Sequence, residues 1–308
     1  MQTLDQLNAS FAIPGVLAFD QHPDAAGLTR ARITTPACAA DLFLQGAHLA
    51  TWQPTGEQAV LFLSEKSLFT PGKAIRGGIP IIFPWFGSRT ATPYSQRTDG
   101  PTHGFARTEL WQLDFAALTG DDLHLSLSLA PNDRSRSLGF DHFRLAYQLT
   151  LGRDLHLRLT VANDGPAPLP IEEAFHTYLH VGDIEQTQIH GLANTEYLDK
   201  TDNFRRKRQS ESVLTPTSET DRLYLNTTSP ITLDDATLHR RIILTKANSS
   251  NTVVWNPWST GTATLADMSA DGWRHMLCIE SANANENALT LHPHEAHVME
   301  TTLSLESL

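Results

Sequence analysis

Tyr147-Gln148-Leu149-Thr150-Leu151-Gly152-Arg153-Asp154-Leu155-His156-Leu157-Arg158-Leu159-Thr160-Val161 is the stretch whose reading decides the fold. Tyr147, Leu149 and Leu151 recur every second position up to a turn-like Gly152-Arg153-Asp154, and Leu155, Leu157, Leu159 and Val161 resume the alternation on the way back. Period two puts these side chains on one face of an extended chain, so the stretch predicts a β-hairpin. Upstream, Leu123, Leu125, Leu127 and Leu129 alternate with His124, Ser126 and Ser128 in the same way. Leu238 to Leu244, Thr252 to Trp255 and Val298 to Leu305 also read as strands, rich in branched or alternating apolar residues. Turn clusters separate them: Asn163-Asp164-Gly165-Pro166, Ala247-Asn248-Ser249-Ser250-Asn251 and Ser269-Ala270-Asp271-Gly272. Helix is minor, with the weakly capped stretch from Met1 to Ala9 as a candidate short peripheral helix. This many strands exceed what one twisted open sheet holds, which points to an all-β chain of two large packed antiparallel sheets. With no internal repeat, low-complexity linker or composition break, residues 1–308 read as a single domain, with 1–10 as a peripheral N-terminal extension.

Composition narrows the partners. The chain carries 34 acidic and 23 basic residues, a formal charge of −11, and a phosphate backbone needs a basic face, so nucleic acid is not expected as a partner. An anionic small molecule would need local arginines working against the global field, which salt screens beyond about 8 Å. The run Arg205-Arg206-Lys207-Arg208 could be a phosphate or nucleic-acid patch, but charge runs are usually exposed and a solvated loop is favoured. Only Cys38 and Cys278 occur, neither in a CxxC, so no disulfide framework or zinc ribbon is expected and a reducing compartment is the simpler reading. No run approaches the roughly 20 apolar residues of a membrane span, and Met1-Gln2-Thr3-Leu4-Asp5 lacks signal-peptide features. The expectation is a cytoplasmic protein without a membrane partner.

Four segments carry candidate chemistry. Lys73-Ala74-Ile75-Arg76-Gly77-Gly78-Ile79-Pro80-Ile81-Ile82-Phe83-Pro84-Trp85-Phe86-Gly87 has paired glycines that suggest close backbone approach to a ligand, and prolines that bar a central strand. His103-Gly104-Phe105-Ala106-Arg107 again sets an arginine beside a glycine and an aromatic. Glu172-Glu173-Ala174-Phe175-His176-Thr177-Tyr178 and Cys278-Ile279-Glu280-Ser281-Ala282-Asn283 offer one histidine and one carboxylate in strand-like surroundings, an acid/base pair. Taken alone, a histidine in an apolar strand is more often a satisfied core residue, and Glu280 could be an edge-strand charge. Glu172 and Glu173 either orient His176 or face solvent. Either tryptophan of Trp255-Asn256-Pro257-Trp258 could wall a pocket or pack in the core or rim. His292 and His294 would share a strand face but His297 breaks the spacing, so a structural or exposed role is favoured over a metal site.

Taken together, Arg76-Gly77-Gly78, His103 to Arg107, Phe175-His176-Thr177-Tyr178 and Ile279-Glu280-Ser281 closely resemble the hexose-6-phosphate mutarotases (glucose-6-phosphate 1-epimerases) of the aldose 1-epimerase superfamily. The resemblance keeps motif order and spacing from about Phe11 to the C-terminus. It implies a galactose mutarotase-like β-supersandwich with its pocket on one concave face, and interconversion of the α and β anomers of D-glucose 6-phosphate and related hexose 6-phosphates. Glu280 matches the general base and His176 the general acid. Arg76 and Arg107 match substrate-contacting arginines and could grip a phosphate bidentately. His103 lies where mutarotases of free sugars carry a His-Gly-Gly-type motif, and that departure favours a phosphorylated substrate. Asp221 falls where the family binds sugar hydroxyls, and Trp255 would wall the pyranose. An ionised Glu280 beside a protonated His176 would raise the histidine pKa. No metal or organic cofactor is called for, and a monomer is the default. Three alternatives stay open: a noncatalytic sugar-binding sandwich, a free-aldose mutarotase, and a glycoside hydrolase, which would need two carboxylates.

Overall fold

The computed structural model describes residues 2–22, 27–93 and 95–308. The diagnostic stretch forms strands Phe143–Leu151 and Leu155–Asn163, with Leu149 opposite Leu157, Tyr147 opposite Leu159 and Leu145 opposite Val161. Strand Asp122–Leu129 adds to the other side, setting Leu125 against Leu149 and Leu127 against Tyr147. This ladder of alternate residues is almost completely buried, and each such side chain contributes about 1.5–3 kcal/mol by leaving water. The register is therefore fixed, because a one-residue slip would turn the whole apolar set to solvent.

These strands belong to an eight-stranded antiparallel sheet that also contains Gln112–Thr119, Ala296–Ser307, Arg240–Ala247, Ile231–Asp235 and Thr187–His190. A second eight-stranded sheet runs Arg205–Arg208, Glu196–Asp199, Thr220–Leu225, Asn251–Asn256, Met276–Asn283, Glu173–Phe175, Ile81–Ile82, with Tyr178–His180 also paired to Met276–Asn283. The two sheets share one apolar core, in which Phe175, Tyr224, Val254, Leu277 and Ile279 meet the leucine ladder. The rings of Tyr147 and Phe175 meet across it at 5.8 Å. Thr301 donates a 2.7 Å hydroxyl hydrogen bond to Ser281 there, whereas the Tyr147 hydroxyl is buried without a partner among the described residues.

Two smaller units complete the fold beyond the pair of sheets expected. Leu17–Gln21, Thr29–Thr34, Cys38–Phe43 and His48–Pro54 form a four-stranded antiparallel sheet, and Leu169–Ile171 pairs with Leu289–Leu291. Buried Trp52 donates its indole N–H to the Gly152 carbonyl at 3.2 Å, tying the N-terminal sheet to the hairpin turn. The short helix is Leu4–Phe11 and its start is well capped, correcting the sequence reading: Thr3 and Gln6 form a reciprocal capping box. Met1, included in that expectation, lies outside the described residues. The basic run is also not a loop. Arg205–Arg208 is an edge strand whose charges are paired: Arg206 with Glu196 and Glu286, Arg208 with Glu196, Lys207 with Asp199 and Asp202. Among the described residues, no helix is long and apolar enough to cross a membrane.

Candidate active site

Strand Met276–Asn283 is buried on both faces. Its alternation sends Leu277 and Ile279 into the core between the sheets and leaves Cys278 and Glu280 on the opposite face. The register aligns Asp221, Trp255, Cys278 and Tyr178 across four neighbouring strands. Glu280 follows two residues beyond Cys278, so this row is the floor of a cavity of about 400 Å³. The cavity is lined by Arg76, His103, Arg107, His176, Asp221, Trp255 and Glu280, the seven residues assigned a catalytic or substrate-binding role from the sequence. Phe86, Thr102, Tyr178 and Lys200 complete its wall.

His176 lies in the short crossing between Glu173–Phe175 and Tyr178–His180, where its backbone N–H donates to the Pro80 carbonyl at 3.0 Å. Its Nε2 is 3.4 Å from Glu280 Oε1, and its ring stacks on Tyr178 with centroids 4.8 Å apart and planes at 10°. Trp255 and His103 meet the imidazole edge-on at 6.0 and 5.4 Å. His176 Nδ1 and Glu280 Oε2 are buried without a hydrogen-bond partner among the described residues. Such orphans are expensive in a packed protein and common where a substrate completes them.

Electrostatics overturn one expectation. The His176 pKa is lowered, not raised: burial dominates, and His103, Arg107, Arg76 and Lys200 add repulsion. Glu280 is pushed well above the ordinary carboxylate range, first by burial and further by Asp221, against the pull of Lys200 and Arg107. The low dielectric thus favours a neutral pair carrying one proton between them. His103 is similarly lowered, by burial and then by Arg107, Lys200 and Arg76. It sits at φ 64° and its Nδ1 accepts the Gly87 N–H at 3.2 Å, which leaves the proton on Nε2.

Three cations face the cavity in different circumstances. Arg76 donates from Nε to Asp267 at 3.1 Å and from Nη1 to the Tyr178 hydroxyl at 3.0 Å. Those bonds keep it charged despite burial and occupy much of the fork expected to grip a phosphate. Lys200 Nζ sits 3.0 Å from Asp221 Oδ1 and 4.8 Å from the centre of the Phe86 ring. Arg107 donates from Nη2 to the Thr102 carbonyl at 2.8 Å, and no carboxylate lies within ion-pair distance of it among the described residues. Burial lowers its pKa more than any neighbour restores it. Asp221 is raised by burial, with Lys200 opposing.

Several local readings are corrected. The close approach of Gly77 and Gly78 is to the protein's own chain, since a Cβ there would lie 2.4 Å from the Phe62 carbonyl oxygen and 2.3 Å from that of Leu49. Both have positive φ, so glycine is needed to dock the Arg76 segment against Phe62 and Leu63 on one side and the N-terminal sheet at Leu49 on the other. Half-buried Glu172 braces the Phe86 wall instead of His176: its carboxylate accepts the backbone N–H groups of Phe86 and Asn285, both at 2.7 Å. Glu173 is fully buried, 3.0 Å from His297 Nε2. Trp258 packs against Trp273 with ring centroids 4.4 Å apart and planes tilted by 41°, outside the cavity lining. Tyr178 was legible as the i+2 neighbour of His176 in a strand-like run, whereas nothing local marks Lys200 or Asp267. Donor atoms of His176, Cys278 and Glu280 lie within 4.8 Å of one another, the one such trio found among the described residues, and the three cations around it oppose a metal ion there.

The arrangement can therefore move one proton between a carboxyl and an imidazole beside a cationic, aromatic-walled cavity. Residues 30–304 match the aldose 1-epimerase family. The chain is 32% identical to the "Putative glucose-6-phosphate 1-epimerase" of Escherichia coli over 86% of its own length and 87% of that protein's. It is also 32% identical to the Salmonella typhimurium protein of the same description, over 81% of each. The crystal structure of "a putative mutarotase (YeaD)" from Salmonella typhimurium superposes with a TM-score of 0.87 at 28% identity, covering 97% of this chain and 96% of that one. With its strands and sheets in the galactose mutarotase-like arrangement, the chain is an enzyme of the aldose 1-epimerase family.

Proposed function

We propose that the protein interconverts the α and β anomers of D-glucose 6-phosphate and related hexose 6-phosphates by acid/base ring opening and closure. Glu280 takes the proton of the C1 hydroxyl while His176 protonates the ring oxygen. The bond between C1 and the ring oxygen then breaks, giving the open-chain aldehyde. Rotation about the C1–C2 bond presents the other carbonyl face, and the same steps in reverse close the ring. The resting neutral pair and the reactive pair, carboxylate plus imidazolium, hold the same number of protons, so the 3.4 Å His176–Glu280 contact allows activation without a proton from solvent. Such positioned groups typically contribute about 10²–10⁴ in rate each. His103, Asp221 and Trp255 would hold the sugar hydroxyls and pyranose face.

The observation that carries the phosphate assignment is Arg107, a desolvated guanidinium in the cavity with no carboxylate partner among the described residues. Arg76 and Lys200 already have Asp267 and Asp221. A phosphate ester would supply the missing anion and charge-assisted bonds. The names of the relatives, which specify glucose 6-phosphate, support the same reading. Magnetisation-exchange NMR of the anomeric protons tests it. Enzyme-dependent exchange much faster in glucose 6-phosphate than in glucose is expected; exchange only in glucose would refute the phosphate assignment.

A further inference from the structure

The histidine that would protonate the ring oxygen lacks the usual means of orientation. An acid/base imidazole is ordinarily aimed by a hydrogen bond at its second nitrogen, but His176 Nδ1 is buried with no partner among the described residues. Backbone bonds fix the segment without fixing the ring. The His176 N–H donates to the Pro80 carbonyl at 3.0 Å, the Thr177 carbonyl accepts the Ile279 N–H at 3.2 Å, and Tyr178 donates to Gly78 and accepts from Phe62, both at 2.9 Å. Within the segment the Thr177 N–H donates to the Phe175 carbonyl at 2.9 Å, which closes a three-residue turn centred on His176. A regular strand sets alternate residues about 6.6 Å apart. Across this turn the His176 and Tyr178 rings lie with centroids 4.8 Å apart and planes at 10°, a stacked pair.

We propose that Tyr178 is a positioning residue for the reaction: by covering one face of the His176 imidazole, its ring sets the plane in which Nε2 meets Glu280, the task that a hydrogen bond to Nδ1 performs in other acid/base histidines. This rests on the reading of His176 as the acid. Tyr178 is itself anchored. It is 2% exposed, its backbone pairs with strand Met276–Asn283 opposite Cys278, and its hydroxyl accepts from Arg76 Nη1 at 3.0 Å. That guanidinium is held in turn by Asp267 at 3.1 Å. Trp255 meets both rings of the stack edge-on, 6.0 Å from His176 and 5.9 Å from Tyr178, and His103 stands at 5.4 Å on the imidazole. Enclosed in this way, the imidazole is kept in a plane that brings Nε2 to 3.4 Å from Glu280 Oε1.

Tyr178→Leu and Tyr178→Phe separate the flat ring from the hydroxyl, since both lose the bond to Arg76 and only phenylalanine keeps the stack. Two readouts apply: the NMR resonances of the His176 ring protons, assigned through His176→Asn, and the split of anomeric exchange into kcat and KM. Tyr178→Phe should keep the upfield ring-current shift that the stacked face imposes on those protons. Tyr178→Leu should lose it and run at least about 30-fold below Tyr178→Phe in kcat, because a misplacement of about 1 Å can cost about 10²-fold, while KM agrees between the two variants within about 3-fold. Tyr178→Met, which fills space without a flat face, serves the same comparison if the leucine variant does not fold. Equal kcat in the leucine and phenylalanine variants, a loss confined to KM, or His176 resonances unmoved by leucine would overturn the proposal. A merely structural role would lower Tm without moving the His176 shifts of the folded protein. Those shifts need no turnover, so a wild-type protein inactive toward every hexose phosphate would refute the proposed function while the orientation of His176 was still decided.

Discussion

Replacing Arg107 with alanine separates the phosphate reading from a general sugar-binding one. The guanidinium spends one Nη2 hydrogen bond on the Thr102 carbonyl, leaving further N–H groups for the substrate. Charge-assisted bonds contribute about 1.5–3 kcal/mol each, and truncating one member of a buried charge pair costs about 2–5 kcal/mol. Arg76 and Lys200 stay in the cavity and recover part of this. A loss of about 3 kcal/mol in transition-state binding follows, roughly 150-fold in kcat/KM for glucose 6-phosphate. Free glucose makes no such contact and should change less than about 3-fold. Because burial disfavours the Arg107 charge in the folded chain, the variant should melt no lower than the wild type, and its Tm should rise less on adding glucose 6-phosphate. Anomeric exchange NMR on both sugars, with thermal melts, measures all of this. Equal losses for both substrates would refute the phosphate-binding role, as would a loss below about 5-fold for the phosphate ester.

Other outcomes follow from the same geometry. Glu280→Gln and His176→Asn should each fold and lose about 10²–10⁴ of the exchange rate, and the double variant should lose little more, since the two act as one unit; Glu280→Gln should also raise Tm near neutrality by removing a carboxyl that burial disfavours when ionised. With His176 lowered and Glu280 raised, the state holding one proton extends to lower pH than an ordinary histidine and to higher pH than an ordinary carboxylate would allow. A pH profile of kcat/KM should therefore fail on the acid side as the pair gains a second proton and on the alkaline side as it loses its only one; an acid limb at the ordinary histidine pKa or an alkaline limb at the ordinary carboxylate pKa would contradict this. His297→Ala would strand the buried Glu173 carboxylate, which Asn283 still contacts at 2.9 Å, at a cost of about 3 kcal/mol in denaturant unfolding. Burial opposes the His297 charge but Glu173 outweighs it and raises the pKa. Its contribution is thus present below the ordinary histidine pKa and lost as pH rises through the folded value, so the deficit should be larger in weakly acidic than in alkaline buffer.

Legibility varied with how locally each feature is determined. The leucine ladder from Leu123 to Val161 could be read because strand register there depends on alternation and a short turn, both contained in the segment. The N-terminal strands are harder to read: Leu17–Gln21 buries only Leu17 and Phe19 in alternation, too short a run to stand out, and the sheet is tied in by long-range contacts such as Trp52 to Gly152. The capping box at Thr3 was visible in principle as a threonine followed three residues later by glutamine. The basic run looked like a loop because its pairing partners, Glu196 and Glu286 among them, lie in other segments.

For the site, the sequence by itself determined which chemistry-bearing residues exist and in what order: a histidine and a carboxylate in strand-like motifs, and two arginines beside glycines. Those motifs pointed to the family, and the residues they singled out line one cavity. The tertiary structure alone decided what charge each group carries and what it has left to offer. Asp267 reaches Arg76 from 191 residues away, Lys200 is paired with Asp221, and Arg107 is left without a carboxylate. The His176 pKa was misjudged from the sequence because a motif names one neighbour, Glu280. The actual shift is a sum over burial and every charge within reach, and both are properties of the folded chain.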